Sequence, residues 1–235
     1  MGISAYREIV LSSKADDEAS ILSVFRDIYA SDPDAVFSLL NIYKELPINN
    51  NGAIFDIKGK VIEFRTIPLQ LAAIDFCKET VIQAPFLNAA VLGRAVYLDI
   101  PHQLVGLGDF SYAEVNSDKR NAVRVRLKTP ANVSLTVSET KVSGVIRDIS
   151  LSGCCVSTLL GQVFEQAGAA TIHLKLMHEG QIHETDVPVR IVRVAGTGPY
   201  ECAMVFQHNG ESERILSMFI YQRQLEIIRE LKEKT

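Results

Sequence analysis

Two short clusters of residues in the middle of the chain have side chains suited to binding a nucleotide. The first is Lys119-Arg120-Asn121-Ala122-Val123-Arg124, an R-x-x-x-R pattern preceded by a lysine. The guanidinium of arginine is a planar fork of donors that pairs with phosphate oxygens or with the O6/N7 edge of guanine, and its flat face stacks on a base. We therefore expect this segment to wrap around an anionic nucleotide.

The second cluster is the D-x-S-x-x-G pattern formed by Asp148, Ser150 and Gly153. It follows the apolar run Val142–Ile146 and precedes another apolar run, which predicts a corner between two strands. A carboxylate accepts hydrogen bonds from the N–H donors on the Watson–Crick edge of guanine, a serine adds a hydroxyl, and a glycine allows close approach of the backbone. Together the two clusters predict a site for a guanine nucleotide that carries phosphate.

Groups for phosphoryl transfer or hydrolysis are not found in the sequence. It contains no Walker-type glycine loop and no obvious pair of metal-binding carboxylates. His173, His178 and His183 are spaced by five around a predicted turn. A two-residue loop would place His173 and His183 on opposite faces of the hairpin, whereas a three-residue loop would place them on one face. We expect ordinary hairpin surface here, and no catalytic residue, metal ion or cofactor.

Composition limits the class of ligand. The chain has 235 residues, of which 47% are hydrophobic, and a formal net charge of −4. These values exclude a mainly disordered protein and argue against a general nucleic-acid coat, which needs a strongly cationic surface. The stretch Lys119–Lys128 nevertheless carries five positive charges in ten residues and no acidic side chain. A small anionic ligand is compatible with this pattern, whereas a nucleic-acid polymer is not expected.

The first 46 residues are predicted to be helical. Apolar residues at helical spacing indicate one helix over Asp16–Tyr29 and a second that begins after the Asp32-Pro33 cap and is stopped by Pro47. These helices are expected to form a small bundle or to cover the following sheet, and a role as a dimer face is left open. The cluster Asn49–Gly52 is predicted to be a turn.

Residues 53–110 have the short apolar runs that are typical of β-strands. Two of these runs flank Lys58-Gly59 and predict a hairpin. The stretch 69–78 fits a helix or a strand equally well. Residues 1–112 are therefore expected to form an N-terminal α+β domain, with helices followed by a small β-barrel or sheet.

The pattern of apolar and polar residues changes after this domain. Residues 113–124 are polar, lose their period and predict a linker that also serves as a ligand switch loop. From Val123 onward apolar and polar residues alternate, and about six short strands predict a small antiparallel barrel over residues 120–235. Residues 211–233 return to a helical pattern. The expected fold class is mainly β with α elements.

The cysteines and the N-terminus point to a reducing compartment. The four cysteines form no C-x-x-C pair, and adjacent Cys154 and Cys155 cannot easily bridge each other, so we expect reduced core thiols. The first ten residues do not resemble a secretory signal, and no segment has the length and apolarity of a membrane span. The expected location is cytoplasmic, without membrane insertion.

The two clusters, in this order at the start of a small barrel, resemble the PilZ domain family of bacterial receptors for cyclic di-GMP (c-di-GMP). The resemblance runs over about residues 116–210 and implies a six-stranded PilZ-like β-barrel. It also implies a set of ligand-binding residues, namely Lys119, Arg120, Arg124, Asp148, Ser150 and Gly153. Lys119 stands where many members have another arginine. One departure is Ala203, which occupies the glycine position of the family's late G-x-x-F strand.

The N-terminal half is similar in architecture to two-domain members of the flagellar-brake type. By this resemblance the chain would be a c-di-GMP receptor that binds the dinucleotide at the linker and the barrel surface. Binding would change the orientation of the domains and signal to a protein partner in motility or exopolysaccharide control. A flagellar motor component is the leading partner, and a homo-oligomer is compatible with the sequence. The alternative is a PilZ-like protein-interaction module that does not bind nucleotide.

Overall fold

The chain folds into two compact units. A computed structural model describes residues 6–115, 122–165, 167–178 and 180–234. The first unit holds the described residues of Met1–Tyr43, Pro47–Arg120 and Ile228–Thr235, and the second those of Lys44–Leu46 and Asn121–Ile227. In the part of the chain that the structure describes, no helix has the length and apolarity needed to cross a membrane.

The first unit is an antiparallel β-barrel with two helices. Its strands are ordered β1-β7-β4-β3-β2-β5-β6, and an additional pairing of β6 with β7 closes the barrel. The elements, in chain order, are β1 (Tyr6–Ile9), α1 (Lys14–Ser31), β2 (Val36–Tyr43), β3 (Leu46–Lys58), β4 (Val61–Thr66), α2 (Pro68–Cys77), β5 (Glu79–Gln83), β6 (Ala90–Asp99) and β7 (Leu104–Val115).

Helix α1 packs against β7 and contributes the central residue of the core. The helix begins after Ser13, whose hydroxyl accepts a hydrogen bond from the backbone N–H of Asp16 at 3.2 Å. Phe25 is fully buried, and its ring centroid lies 5.5–6.0 Å from those of three other buried phenylalanines. These three come from β2, β4 and β7 and are Phe37, Phe64 and Phe110. The predicted helix over Asp16–Tyr29 is therefore confirmed.

The predicted second helix is wrong, because its apolar residues form strand β2. Phe37, Leu39 and Tyr43 are all fully buried and alternate along the strand as inward-facing residues do. The inward position between Leu39 and Tyr43 is occupied by Asn41, which is also fully buried. A polar residue at a core position interrupts the alternation in the sequence, so the remaining apolar spacing could be mistaken for that of a helix.

Asn41 is tolerated in the core because its side-chain amide is hydrogen-bonded. Its Nδ2 donates to the backbone oxygen of Glu79 at 2.6 Å. Its Oδ1 accepts from Gln70 Nε2 at 2.7 Å and from Thr80 Oγ1 at 2.8 Å. These partners lie 29–39 residues away in sequence, so no local pattern could reveal that this asparagine is buried.

The turn predicted at Asn49–Gly52 is also wrong, since these residues lie within β3. The chain reverses instead at Lys44-Glu45, where both residues have positive φ, 52° and 69°. The Asn50 Nδ2 donates to Gln70 Oε1 at 3.0 Å, which shows that a tertiary contact holds this residue in a strand. The hairpin at Lys58-Gly59 is confirmed, and the stretch that fitted either helix or strand forms α2.

The second unit is a closed six-stranded antiparallel barrel with a long terminal helix. Its strand order is β10-β13-β12-β11-β8-β9. The elements are β8 (Arg124–Val137), β9 (Thr140–Ser150), β10 (Gly153–Thr158), α3 (Gln162–Glu165), β11 (Ala169–His178), β12 (Gln181–Ala195), β13 (Tyr200–Phe206) and α4 (Gly210–Lys232). The predicted mainly β fold class, with this barrel and the terminal helix, is confirmed.

Two further expectations concern the ends of strands. Strand β7 continues to Val115 and β8 begins at Arg124, whereas residues 116–121 of the proposed linker lie outside the described residues. The linker therefore stays a prediction.

In the β11–β12 hairpin His178 pairs with Gln181, which leaves the two-residue connection that places His173 and His183 on opposite faces.

Candidate ligand-binding site

The pairing of β8 with β9 brings the two predicted clusters onto one surface. Arg124 lies opposite Ser150, and Arg126 lies opposite Asp148. The pair between them, Val125 and Ile149, is fully buried and faces the barrel core. Because successive residues of a strand point to opposite faces, Arg124, Arg126 and Asp148 point away from the core, whereas Ser150 is buried at the turn that follows β9. The register thus places the motif arginine, Arg124, diagonally across from Asp148 on the outside of the barrel.

Arg124 and Asp148 place an exposed guanidinium beside a partly buried carboxylate of opposite charge. The Arg124 Nη1 lies 3.9 Å from Asp148 Oδ1, and the two side chains are 43% and 24% exposed. An exposed guanidinium can donate two parallel hydrogen bonds to a phosphate or to the O6/N7 edge of guanine. The adjacent carboxylate can accept from the N–H donors of a guanine. The pair therefore offers both kinds of group that the sequence predicted.

Ser150 is engaged inside the turn that follows β9. It is only 2% exposed, its hydroxyl donates to the backbone oxygen of Gly153 at 3.0 Å, and it lies 3.1 Å from the hydroxyl of Ser152. These bonds stabilise the two-residue turn between β9 and β10 and confirm the predicted corner. The hydroxyl of Ser150 therefore already has partners within the turn. Its predicted contact with a ligand stays a prediction.

Gly153 is required by the barrel itself. A Cβ atom at this position would lie 2.0 Å from the backbone oxygen of Met204, far inside contact distance. Gly153 starts β10 and pairs with Val205 of β13, so the missing side chain allows these two strands to approach. The close approach of β13 therefore explains the glycine at this position. The predicted approach of a ligand to Gly153 stays a prediction.

The backbone of the turn is also held from β13 and the segment after it. The N–H of Phe206 donates to the oxygen of Ser152 at 3.0 Å. The Nε2 of His208 lies 2.5 Å from the oxygen of Leu151, and its ring lies beside that of Phe206. Sequence reasoning missed His208, since its partner is 57 residues away and no spacing pattern connects them.

The remaining predicted ligand residues, Lys119 and Arg120, lie outside the described residues. Their part in the site stays a prediction.

Ala203, at the family's glycine position, pairs with Cys155 of β10 and with Arg193 of β12. Ala203 is partly buried. It lies within a strand and not in the turn that carries Gly153.

The barrel cysteines near this surface are reduced and are not activated as nucleophiles. The Cys155 thiol lies 3.2 Å from Glu201 Oε2, and burial together with this carboxylate raises the pKa of Cys155 to about 12. Burial and the Glu201 charge raise the pKa of Cys202 to about 11. Burial likewise raises the pKa of Cys154. Because the thiolate is the reactive form, these groups are poor nucleophiles at neutral pH.

Among solved structures, the chain is similar to the inhibitor of motility MotI/DgrA of Bacillus subtilis, with 13% identity, a TM-score of 0.40, and 81% of this chain and 96% of that chain covered. It is also similar to YcgR of Escherichia coli in complex with c-di-GMP, with 12% identity, a TM-score of 0.40, and 98% and 97% covered. No curated protein matches the chain.

A model of the PilZ domain matches residues 118–222. This segment holds all six strands of the second barrel, the turn with Asp148, Ser150 and Gly153, and the first part of α4. The R-x-x-x-R and D-x-S-x-x-G patterns both fall inside the match. The second unit of this chain therefore belongs to the PilZ domain family.

Proposed function

We propose that this protein is a receptor for c-di-GMP. The observation that carries the proposal is the exposed Arg124 beside the partly buried Asp148 on the outer face of a PilZ barrel, next to the turn of the D-x-S-x-x-G motif. The proposed ligand-binding residues are those that the motifs supply, namely Lys119, Arg120, Arg124, Asp148, Ser150 and Gly153.

The chemistry of the dinucleotide matches this surface. It carries two phosphate charges and two guanines, so a receptor needs cationic donors together with acceptors for guanine N–H groups. Arg124 would donate to a phosphate or a guanine, and Asp148 would accept from a guanine. The Arg124 Nη1 and the Asp148 Oδ1 are 3.9 Å apart, which is longer than a direct hydrogen bond.

Calorimetric titration of the full chain with c-di-GMP tests the proposal. Arg124→Ala and Asp148→Ala are each expected to raise the Kd at least about tenfold, because each removes a charge-assisted hydrogen bond to the ligand. Arg190→Ala is the matched control, since Arg190 is an exposed arginine on β12 of the same barrel. The control should bind as the unmodified protein does.

Two results would contradict the proposal. One is the absence of heat and of any thermal shift with ligand near millimolar concentration. The other is binding that all three alanine variants weaken equally, since that would indicate a general charge effect. The first result would favour the alternative of an interaction module that does not bind nucleotide.

We further propose that ligand binding at the linker 113–124 changes the orientation of the two units. This stretch runs from the end of β7, the last strand of the first barrel, to the start of β8, the first strand of the second, and contains Arg120 and Arg124. A ligand shifts such an equilibrium only if it binds one arrangement better than the other. The output would be motility or exopolysaccharide control through a protein partner, with a flagellar motor component as the leading candidate.

Small-angle scattering checks this reorientation. Saturating c-di-GMP is expected to change the distance distribution of the full chain, because a ligand that binds one arrangement better shifts the population towards it. Arg124→Ala, at the same nucleotide concentration, should keep the distribution of the free protein. Identical curves for the free and the saturated protein would show that binding is not transmitted as a change of orientation.

A further inference from the structure

The two segments that carry Arg124 and Asp148 are each held by a side chain from the region after the barrel. Arg223 of α4 donates from Nε to the backbone oxygen of Arg126 at 2.8 Å. His208, just before α4, donates from Nε2 to the backbone oxygen of Leu151 at 2.5 Å. Arg126 is two residues beyond Arg124 in sequence, and Leu151 is three beyond Asp148. Both bonds lie within the second unit.

Arg223 acts where β8 leaves its regular pairing. The register of β8 against β9 shifts between Arg126 and Ala131, so the carbonyl of Arg126 stands at the end of a regular stretch of ladder. The Arg223 side chain is only 4% exposed, and its Nη1 donates to Glu226 Oε2 at 2.9 Å. A buried guanidinium that is bonded at two positions has little freedom to move. It therefore fixes the backbone of β8 next to Arg124.

His208 acts in the same way on the turn. A carbonyl oxygen only accepts hydrogen bonds, so the bond to Leu151 requires the proton on Nε2. The other ring nitrogen, Nδ1, lies 3.4 Å from the hydroxyl of Ser212 in the first turn of α4. The ring also lies 5.4 Å from that of Phe206, measured between centroids. These contacts orient the imidazole towards the turn.

We propose that Arg223 and His208 are positioning residues of the nucleotide site and set the spacing between Arg124 and Asp148. This inference rests on the proposed function. Neither side chain needs to touch the ligand, since each acts through the backbone of a segment that carries a ligand-binding group. A site that must receive two guanines and two phosphates is sensitive to this spacing, because misplaced donors lose their hydrogen bonds.

The test compares substitutions that remove a donor with substitutions that keep one. In titrations of the full chain with c-di-GMP, Arg223→Met and His208→Leu are each expected to raise the Kd about tenfold. His208→Gln should bind within about threefold of the unmodified protein, because the glutamine amide can place an N–H near the position of Nε2. Arg214→Met is the control, since Arg214 is an exposed arginine on the same helix.

Additional measurements separate positioning from folding. Circular dichroism and the fitted stoichiometry should show that His208→Leu remains folded and fully able to bind at saturating ligand. If Arg223→Met fails to fold, the His208→Leu and His208→Gln pair decides the question. Recovery of affinity in His208→Gln is a result that a general loss of stability would not produce.

The outcomes distinguish this inference from the proposed function. Tight binding by the unmodified protein together with an unchanged Kd in Arg223→Met and His208→Leu would overturn the inference alone. Weak binding by His208→Leu and His208→Gln alike would also overturn it for His208, since the donor would then not be what matters. Absence of binding by the unmodified protein would overturn the proposed function and this inference with it.

Discussion

Substitution of Gly153 by alanine is expected to destabilise the second unit by about 3 kcal/mol, because the new methyl group would overlap a backbone atom of the adjacent strand. The Cβ would lie 2.0 Å from the oxygen of Met204. A flexible side chain could move away at little cost, but this oxygen belongs to β13, which is paired on both sides. The strands β10 and β13 would have to separate, and urea unfolding monitored by circular dichroism measures the loss.

Gly168→Ala is the matched control for this prediction. Gly168 belongs to the same unit, and a Cβ at that position meets nothing within 4 Å. Its substitution should leave the free energy of unfolding within about 0.5 kcal/mol of the original value. Equal effects of the two substitutions would contradict the packing explanation of Gly153. We also expect Gly153→Ala to weaken c-di-GMP binding, since the turn next to Asp148 would move with β10.

Substitution of Phe25 by alanine is expected to destabilise the first unit by about 3–5 kcal/mol. The ring is fully buried and makes tilted or edge contacts with Phe37, Phe64 and Phe110, which come from three different strands. Its removal leaves a cavity between α1 and the barrel and takes away three aromatic contacts. Thermal unfolding of the full chain should show a lower transition for the first unit.

Phe86→Ala provides the comparison within the same cluster. Phe86 also contacts Phe37, with 5.3 Å between ring centroids, but it is 47% exposed. Water already reaches this ring, so its loss should cost only about 1 kcal/mol. A similar loss of stability in both variants would contradict the explanation that the burial of Phe25 sets the size of the effect. The affinity for c-di-GMP should stay unchanged in Phe86→Ala.

The second barrel was predictable from the sequence, whereas the first was predictable only in part. In β8 the apolar residues Val125 and Leu127 alternate with Arg124 and Arg126, and this alternation survives in the structure. In β2 the alternation is interrupted by Asn41, whose partners are distant in sequence. Local spacing reports only local regularity, so a strand with a buried polar residue was mistaken for a helix.

For the candidate site, the sequence predicts residue types but not their geometry. The motifs name Arg124 and Asp148, and the strand register that places them together follows from the pairing of β8 with β9. Arg223 and His208 contribute through side chain–backbone bonds that span 97 and 57 residues. The partner of each side chain is a backbone carbonyl, which every residue type has. No sequence motif could therefore have indicated these two positions.

The positions of the two motifs have different roles in the structure. Ser150 and Gly153 are occupied with the turn and with β13, so they record that a chain forms this barrel. Asp148 lies 3.9 Å from Arg124 of the other motif, and under the proposed function these two positions decide whether a nucleotide binds. A relative that keeps the serine and glycine but has lost the arginine and aspartate would therefore retain the architecture and, under the proposed function, lose nucleotide binding. For diagnosing function across such relatives, the charged positions are the informative ones.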